Sequence, residues 1–327
     1  MKRKQSTKKA LWIALILFVV FVFVFSGLKL LENTVWQSDA PATDEHTSKT
    51  IVRDGVEYFP RQDITVIAFM GVDEMEPVAS SQSHRNNGEA DALALLILDE
   101  TNETYSILAI NRDTMVTMPA LGLGGKEAGT FYGQIALSHT YGSGLEDSAL
   151  NTVSTLSNLL YGITIDHYVA LNMGGIPALN DAVGGVTVEV SDDFSAVDPT
   201  IPMGTVTLQG QQALNFLRTR KEVGDQLNLS RMQRHESYMQ GLIAALSAKL
   251  EESDTFVMDA YQQISSYTVT DCSVNTISGI LSRCGDYGLQ EIVSLEGNNV
   301  RGQEHYEFHL DAEALDAVIL RLFYAKK

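Results

Sequence analysis

The residues most out of character in this chain are arginines. It carries 12, and four of them, Arg218, Arg220, Arg231 and Arg234, fall within positions 218–234 of a chain whose formal net charge is −18. The hydrophobic spacing after Asn228 predicts a long helix over 228–252, so Arg231 and Arg234 stand in its first turns. There the macrodipole already makes the potential positive, and cations crowd at a cost unless an anion lies between them. A guanidinium fork fits a pair of phosphate oxygens, so the cluster reads as a phosphate or pyrophosphate clamp. The plainer alternative is salt bridging to the surplus carboxylates. Asp73 stands directly after one predicted strand end and Asp91 begins the next strand. Paired carboxylates at neighbouring strand ends suit Mg²⁺, with water and substrate phosphate as its other ligands. Taken singly, each also reads as a turn residue. Arg112-Asp113 follows a third strand, so all three segments can converge on one sheet edge.

Other chemistries find little support. There is no His-Glu-x-x-His pair, the seven His are scattered, and no Ser occupies a Gly-x-Ser-x-Gly elbow. Gly122-Leu-Gly-Gly-Lys126 lacks the Gly-Lys-Ser/Thr ending of a phosphate loop and reads as a flexible loop. Cys272 and Cys284 are the only cysteines. Their spacing permits a disulfide or two free thiols, and without a partnering His pattern it argues against zinc.

The elements that must position these groups are legible. Ile64–Met70 reads as a buried strand, and Ala92–Leu98 with Tyr105–Ile110 as a hairpin. Helical spacing covers Leu145–Leu160, Ile176–Val183, Gly210–Leu217, Thr276–Arg283 and Ala312–Phe323. Strand patterns fall at Tyr168–Leu171, Val186–Val190 and Glu304–Leu310. On the helix over 228–252, Met239, Leu242, Ile243, Leu246 and Leu250 form a core-facing stripe. Strands mixed with helices predict an α/β layered sandwich with some antiparallel pairing.

The N-terminus sets the compartment. Ala10–Leu28 runs 19 positions without a charge, ~28 Å as a helix, against a ~30 Å hydrocarbon core. Five basic residues precede it, which places residues 1–9 in the cytoplasm and the body outside. A cleaved signal peptide is the alternative, with Val24-Phe-Ser26 a poor cleavage site. The expected organisation is a cytoplasmic tail (1–9), a transmembrane helix (10–31), a stalk (32–62), a main domain (63–252) that holds the candidate site and a C-terminal extension (253–327) packed on that domain. The chain has 45% hydrophobic and 20% charged residues, which excludes wholesale disorder. Beyond residue 9 it holds 18 basic against 41 acidic groups, a body that repels nucleic acid.

The motifs, in order, resemble the LytR-CpsA-Psr family of bacterial cell-envelope proteins. The matching stretches are Phe69-Met-Gly-Val-Asp73, Ala90-Asp91-Ala92, Ile110-Asn-Arg-Asp-Thr114, Tyr141-Gly142 and Asp181-Ala-Val-Gly-Gly-Val186. Gly210-Gln-Gln-Ala-Leu214, Arg218-Thr-Arg220 and Arg231-Met-Gln-Arg234 complete the series. The resemblance covers roughly residues 63–250. It implies an αβα sandwich with a mixed central sheet and an apolar pocket for a polyprenyl chain. It further implies a transferase that moves a glycopolymer, such as teichoic acid or capsule, from undecaprenyl pyrophosphate onto peptidoglycan. Carried over by position, Asp73 and Asp91 ligate Mg²⁺, while Arg112, Arg218, Arg220, Arg231 and Arg234 hold the pyrophosphate. The general base is either Asp73 or Asp113. The chain departs from the family pattern at four positions: Gln134 stands in place of Lys, Asn111 of Pro, Asn228 of Asp and His235 of Gln. A polyprenyl-phosphate binder without turnover, and a lipid pyrophosphatase, are the competing readings.

Overall fold

The computed structural model describes residues 50–326 except 123–125, 220–222, 224–233, 235–236, 239, 243, 247, 250–251, 254–255, 285–286 and 303–304. The expected tail and membrane helix, along with Arg220, Asn228, Arg231 and His235, lie outside the described residues. Among those described, no helix is long and apolar enough to cross a membrane.

Regular structure begins before the expected domain boundary at 63. β1 (Ile51–Arg53) and β2 (Val56–Pro60) form an antiparallel hairpin. Asp54 and Gly55 between them take φ of 51° and 75°, the left-handed pair that a two-residue turn with strand-matching twist requires. β2 also pairs with the last strand of the chain, Tyr324–Lys326, so the stalk reading fails for residues 51–60.

β3 (Ile64–Val72), β4 (Ala90–Asp99) and β5 (Thr104–Ile110) form an antiparallel meander. Both faces of these strands are covered. Val66, Ala68 and Met70 join one core, and Ile67 and Phe69 another, which is why the sequence shows continuous apolar runs rather than alternation. β6 (Met115–Leu121) and β7 (Glu127–Gln134) make a hairpin. The Gly122 N–H donates to the Lys126 carbonyl at 2.7 Å; the residues between them in the stretch that mimics a phosphate loop lie outside the described residues.

Then come α1 (Glu146–Leu159), β8 (His167–Asn172), α2 (Ile176–Ala182), β9 (Val186–Val190), β10 (Gly204–Leu208) and α3 (Gln211–Arg218). The long helix is helical at its described positions from Arg234 to Glu252, and Leu242 and Leu246 of its stripe are buried. The remainder is α4 (Phe256–Ile264), β11 (Thr268–Thr270), α5 (Val274–Cys284), β12 (Gly288–Ser294), β13 (Gly297–Arg301), β14 (Tyr306–Leu310), α6 (Ala312–Phe323) and β15 (Tyr324–Lys326).

The central sheet is mixed, with strand order β11-β8-β3-β4-β5-β12. β3 and β8 run parallel, as do β5 and β12; the other pairs are antiparallel. α1 and α6 cover one face through Leu156, Ile319 and Leu322. α5 covers the other through Ile280 and Cys284. A separate apolar core joins β9, β10, α3 and the long helix through Val186, Val188, Leu214, Phe216 and Tyr238. Cys272 and Cys284 are buried free thiols.

Candidate active site

The meander delivers its strand ends to one edge. Gly71 pairs with Ala92 and Val72 with Ala90, so Asp91 is the extra residue of a β-bulge. Bulges re-aim side chains at sheet rims, and this one brings Asp91 beside Asp73. The backbone N–H groups of Asp73 and Asp91 both donate to the Glu89 carbonyl, at 2.9 and 3.0 Å. The close approach of the two strands requires Gly88, where an added Cβ would lie 2.7 Å from Val72 Cγ1.

Arg112 leaves the end of β5 and meets three carboxylates. Its Nη1 donates to Asp91, its Nη2 donates to Glu89 Oε2 at 2.6 Å, and its Nε lies 3.5 Å from Asp113 Oδ1. Asn111 shapes the turn that carries this pair. Its side-chain oxygen accepts from the Asp113 N–H, and its carbonyl accepts from Thr114 N–H and Oγ1. Gln134, at the end of β7, donates from Nε2 to Asp113 Oδ1 (2.7 Å) and to the Tyr306 carbonyl (2.8 Å). A neutral amide thus anchors Asp113 at the position where the family resemblance leads one to expect a Lys.

Arg218 closes α3 from the opposite side, with Nη2 3.9 Å from Asp73 Oδ1 and both side chains about half exposed. Arg234 meets other groups. It is buried, donates from Nη2 to the Thr219 carbonyl at 2.6 Å, lies 3.6 Å from Asp192 and stacks over Phe194. The bond to Thr219 ties it to the backbone next to Arg218.

Asp73, Glu89, Asp91 and Asp113 meet the two guanidiniums of Arg112 and Arg218, with His305 also acting on Asp113, so carboxylates outnumber guanidiniums among these described residues. Burial pushes the Asp91 carboxyl up to about 6. Arg112 opposes the rise, and the negative charges of Asp73 and Glu89 add to it. Burial also raises Asp113 against the pull of Arg112. Arg112 itself is raised, because Asp91, Glu89 and Asp113 outweigh its burial. The donors here are hard oxygens under mutual repulsion, a set that fits a small divalent cation. A cleft of about 330 Å³ adjoins this edge, lined in part by Val72, Glu74, Arg85, Asn86, Gly88 and His139. His139 is buried with Nδ1 2.9 Å from the Gly88 carbonyl, and burial lowers its pKa.

The structure therefore gathers Asp73, Asp91, Arg112, Asp113 and Arg218, with Arg234 bonded to Thr219 next to Arg218. Glu89 is the participant that sequence reading missed. It sits two residues before Asp91, but only the bulge and the Arg112 contact reveal its place.

The LytR_cpsA_psr family pattern matches residues 28–322, a span that includes every strand of the central sheet. Over 237 residues the chain is 29% identical to the polyisoprenyl-teichoic acid–peptidoglycan teichoic acid transferase TagU of Oceanobacillus iheyensis. That alignment covers 68% of this chain and 66% of the relative. TagU of Halalkalibacterium halodurans is 33% identical over 202 residues, covering 62% of this chain and 58% of the relative. The chain spans less than two thirds of the length of these curated relatives. Among solved structures, B. subtilis TagV superposes with a TM-score of 0.56 at 26% identity, across 80% of this chain and 96% of that one. A Streptococcus agalactiae protein shares the fold with a TM-score of 0.59 at 22% identity, across 80% and 86%. A pattern reaching over nearly the whole chain, and a solved relative superposing on four fifths of it, place this chain in the LytR-CpsA-Psr family.

Proposed function

We propose that this protein is a membrane-anchored, Mg²⁺-dependent transferase that moves a glycopolymer from a polyprenyl-pyrophosphate carrier onto peptidoglycan. The observation that carries the reading is Arg112, held by Asp91, Glu89 and Asp113 at the sheet edge, with Arg218 facing it across Asp73. Membership of a family whose curated relatives are named as teichoic acid transferases supports the donor and acceptor classes.

In this reading a sugar hydroxyl of the acceptor attacks, and the lipid-borne phosphate departs with growing negative charge. Arg112 is fixed before the reaction, and it and Arg218 stabilise that charge where it develops. Arg220 and Arg231 extend the same clamp by family position. Asp73 and Asp91 would hold Mg²⁺, which would neutralise phosphate charge as a Lewis acid. Asp113, raised by burial and steadied by Gln134, takes the hydroxyl proton in preference to Asp73. The membrane helix over 10–31 keeps the body outside the cell, close to its lipid donor.

The test uses the full chain in detergent with a lipid-pyrophosphate saccharide and peptidoglycan oligomers, in Mg²⁺, in EDTA, and in EDTA followed by Mg²⁺ alone. Mass spectrometry is expected to find a saccharide adduct with Mg²⁺, lost in EDTA and restored by Mg²⁺. An intact bound donor with no adduct overturns transfer in favour of simple binding. A cleaved donor without adduct overturns it in favour of hydrolysis.

A further inference from the structure

Three side chains of metal-binding type meet at the other end of the central sheet. His167 opens β8, where it pairs with Ile67 of β3, while Asn172 pairs with Val72 next to Asp73. Five residues at ~3.3 Å each put His167 ~16 Å from the Arg112 edge. Asp271 and Cys272 lie in the turn between β11 and α5. One ligand atom from each of His167, Asp271 and Cys272 falls within 4.8 Å of the other two. His167 Nδ1 is 3.0 Å from Asp271 Oδ2, and Cys272 Sγ is 3.7 Å from Asp271 Oδ1.

A tetrahedral ion would keep the Cys272–Asp271 separation and open the 3.0 Å His167–Asp271 pair by a few tenths of an ångström. Zn²⁺ with bonds of ~2.0–2.3 Å sets its ligand atoms ~3.2–3.8 Å apart. The backbone around the three is already braced. The Tyr168 N–H donates to Asp271 Oδ1 at 2.9 Å, and the Cys272 N–H donates to Thr270 Oγ1 at 3.0 Å. The Thr270 hydroxyl in turn donates to the Tyr168 carbonyl at 2.5 Å. Cys272 is buried beneath, while His167 and Asp271 reach solvent, so an ion has a path to the sulfur. Sequence spacing hides the set because His167 and Asp271 are 104 positions apart.

We propose that His167, Asp271 and Cys272 form a second metal site, for a borderline divalent cation of the Zn²⁺ type. Thiolate, imidazole and carboxylate together select Zn²⁺ over Mg²⁺. On binding, the Cys272 S–H bond breaks, its proton passes to solvent, and a metal–sulfur bond forms. Thiolate and carboxylate then balance the charge of the ion, and one coordination position stays open to water. The bound ion fastens the start of β8 to the β11–α5 connection. Its distance from Arg112 makes it a support of the fold, separate from the transfer chemistry.

The test titrates the full chain, stripped of metal in detergent, with Co²⁺ and then Zn²⁺. One equivalent of Co²⁺ is expected to produce a thiolate-to-metal charge-transfer absorption that Zn²⁺ bleaches and Mg²⁺ does not. The absorption disappears in Cys272→Ser and persists in Cys284→Ser. His167→Ala weakens Zn²⁺ binding by more than the ~10–100-fold that loss of a merely supporting neighbour causes. Metal-free melting curves of each variant confirm that it folds. Absence of the absorption at one equivalent, or its survival in Cys272→Ser, overturns the proposal.

Discussion

Asp91 shows at the scale of one residue how this site trades stability for chemistry. Its carboxyl is raised to about 6 in the folded chain, chiefly by burial, against an ordinary value near 3.9. The folded state therefore binds the proton more tightly than the unfolded state. Stability falls as pH rises through this window, and above about pH 6 the buried charge is a net burden. Asp91→Asn, nearly isosteric and uncharged, is expected to match the metal-free wild type below about pH 4. Above pH 6 it should exceed it by about 1–3 kcal/mol, while losing transfer. Denaturant unfolding at several pH values checks this. A variant less stable than wild type at pH 7 would mean that the Arg112 pair outweighs burial.

At the scale of elements, the site depends on how β3 and β4 are joined at both ends. Opposite the bulge, Arg61 holds Asp63 at 2.7 Å and Asp99 at 2.8 Å, clamping the start of β3 to the end of β4. Both carboxyls lie below the ordinary range. Hydrogen bonding to Arg61 leads for Asp63, and for Asp99 the bonds from Asn102 and Arg61 overcome burial. Depressed values mean that this stability is present at neutral pH and lost as pH falls through the folded-state values. Arg61→Ala is expected to lower stability by about 1–3 kcal/mol at pH 7, with the gap closing as pH drops well below 4. A gap independent of pH would show that packing, not charge, sustains the clamp.

The same elements explain what the sequence discloses. β3, β4 and β5 are legible because burial on both faces demands unbroken apolar runs. α1, α5 and α6 are legible from 3.6-residue spacing. β7 is not, because Glu127–Tyr132 are exposed and carry no alternation, nor is β12, whose first residues are largely exposed. The β1–β2 hairpin had its signal in Asp54-Gly55, masked by a polar neighbourhood. Within the site, Asp73, Asp91, Arg112, Asp113 and Arg218 could be found because charged residues at strand and helix ends stand out. Glu89 could not, since its role arises from a bulge that no residue pattern announces. The burial of Arg234 likewise follows from packing on Phe194, invisible in a basic motif.

At the scale of the whole molecule, the proposed anchor and the folded body act together. In the proposed reading, a donor confined to the membrane would meet a site tethered to the same surface at raised effective concentration. Removing residues 1–31 is therefore expected to slow transfer from a long-chain lipid donor in vesicles by at least ~10². Transfer from a short-chain, water-soluble donor should be nearly unchanged. Equal losses on both donors would show that the segment supports the fold rather than the encounter.

In the proposed reaction the Arg112 guanidinium, pinned by Asp91, Glu89 and Asp113, stabilises the departing phosphate. Single-turnover transfer with Arg112→Ala, beside donor affinity and melting temperature, tests it most directly. A rate loss of about 10²–10³-fold is expected, with donor binding weakened far less and the fold intact. Transfer within a few-fold of wild type in a folded Arg112→Ala protein would contradict it.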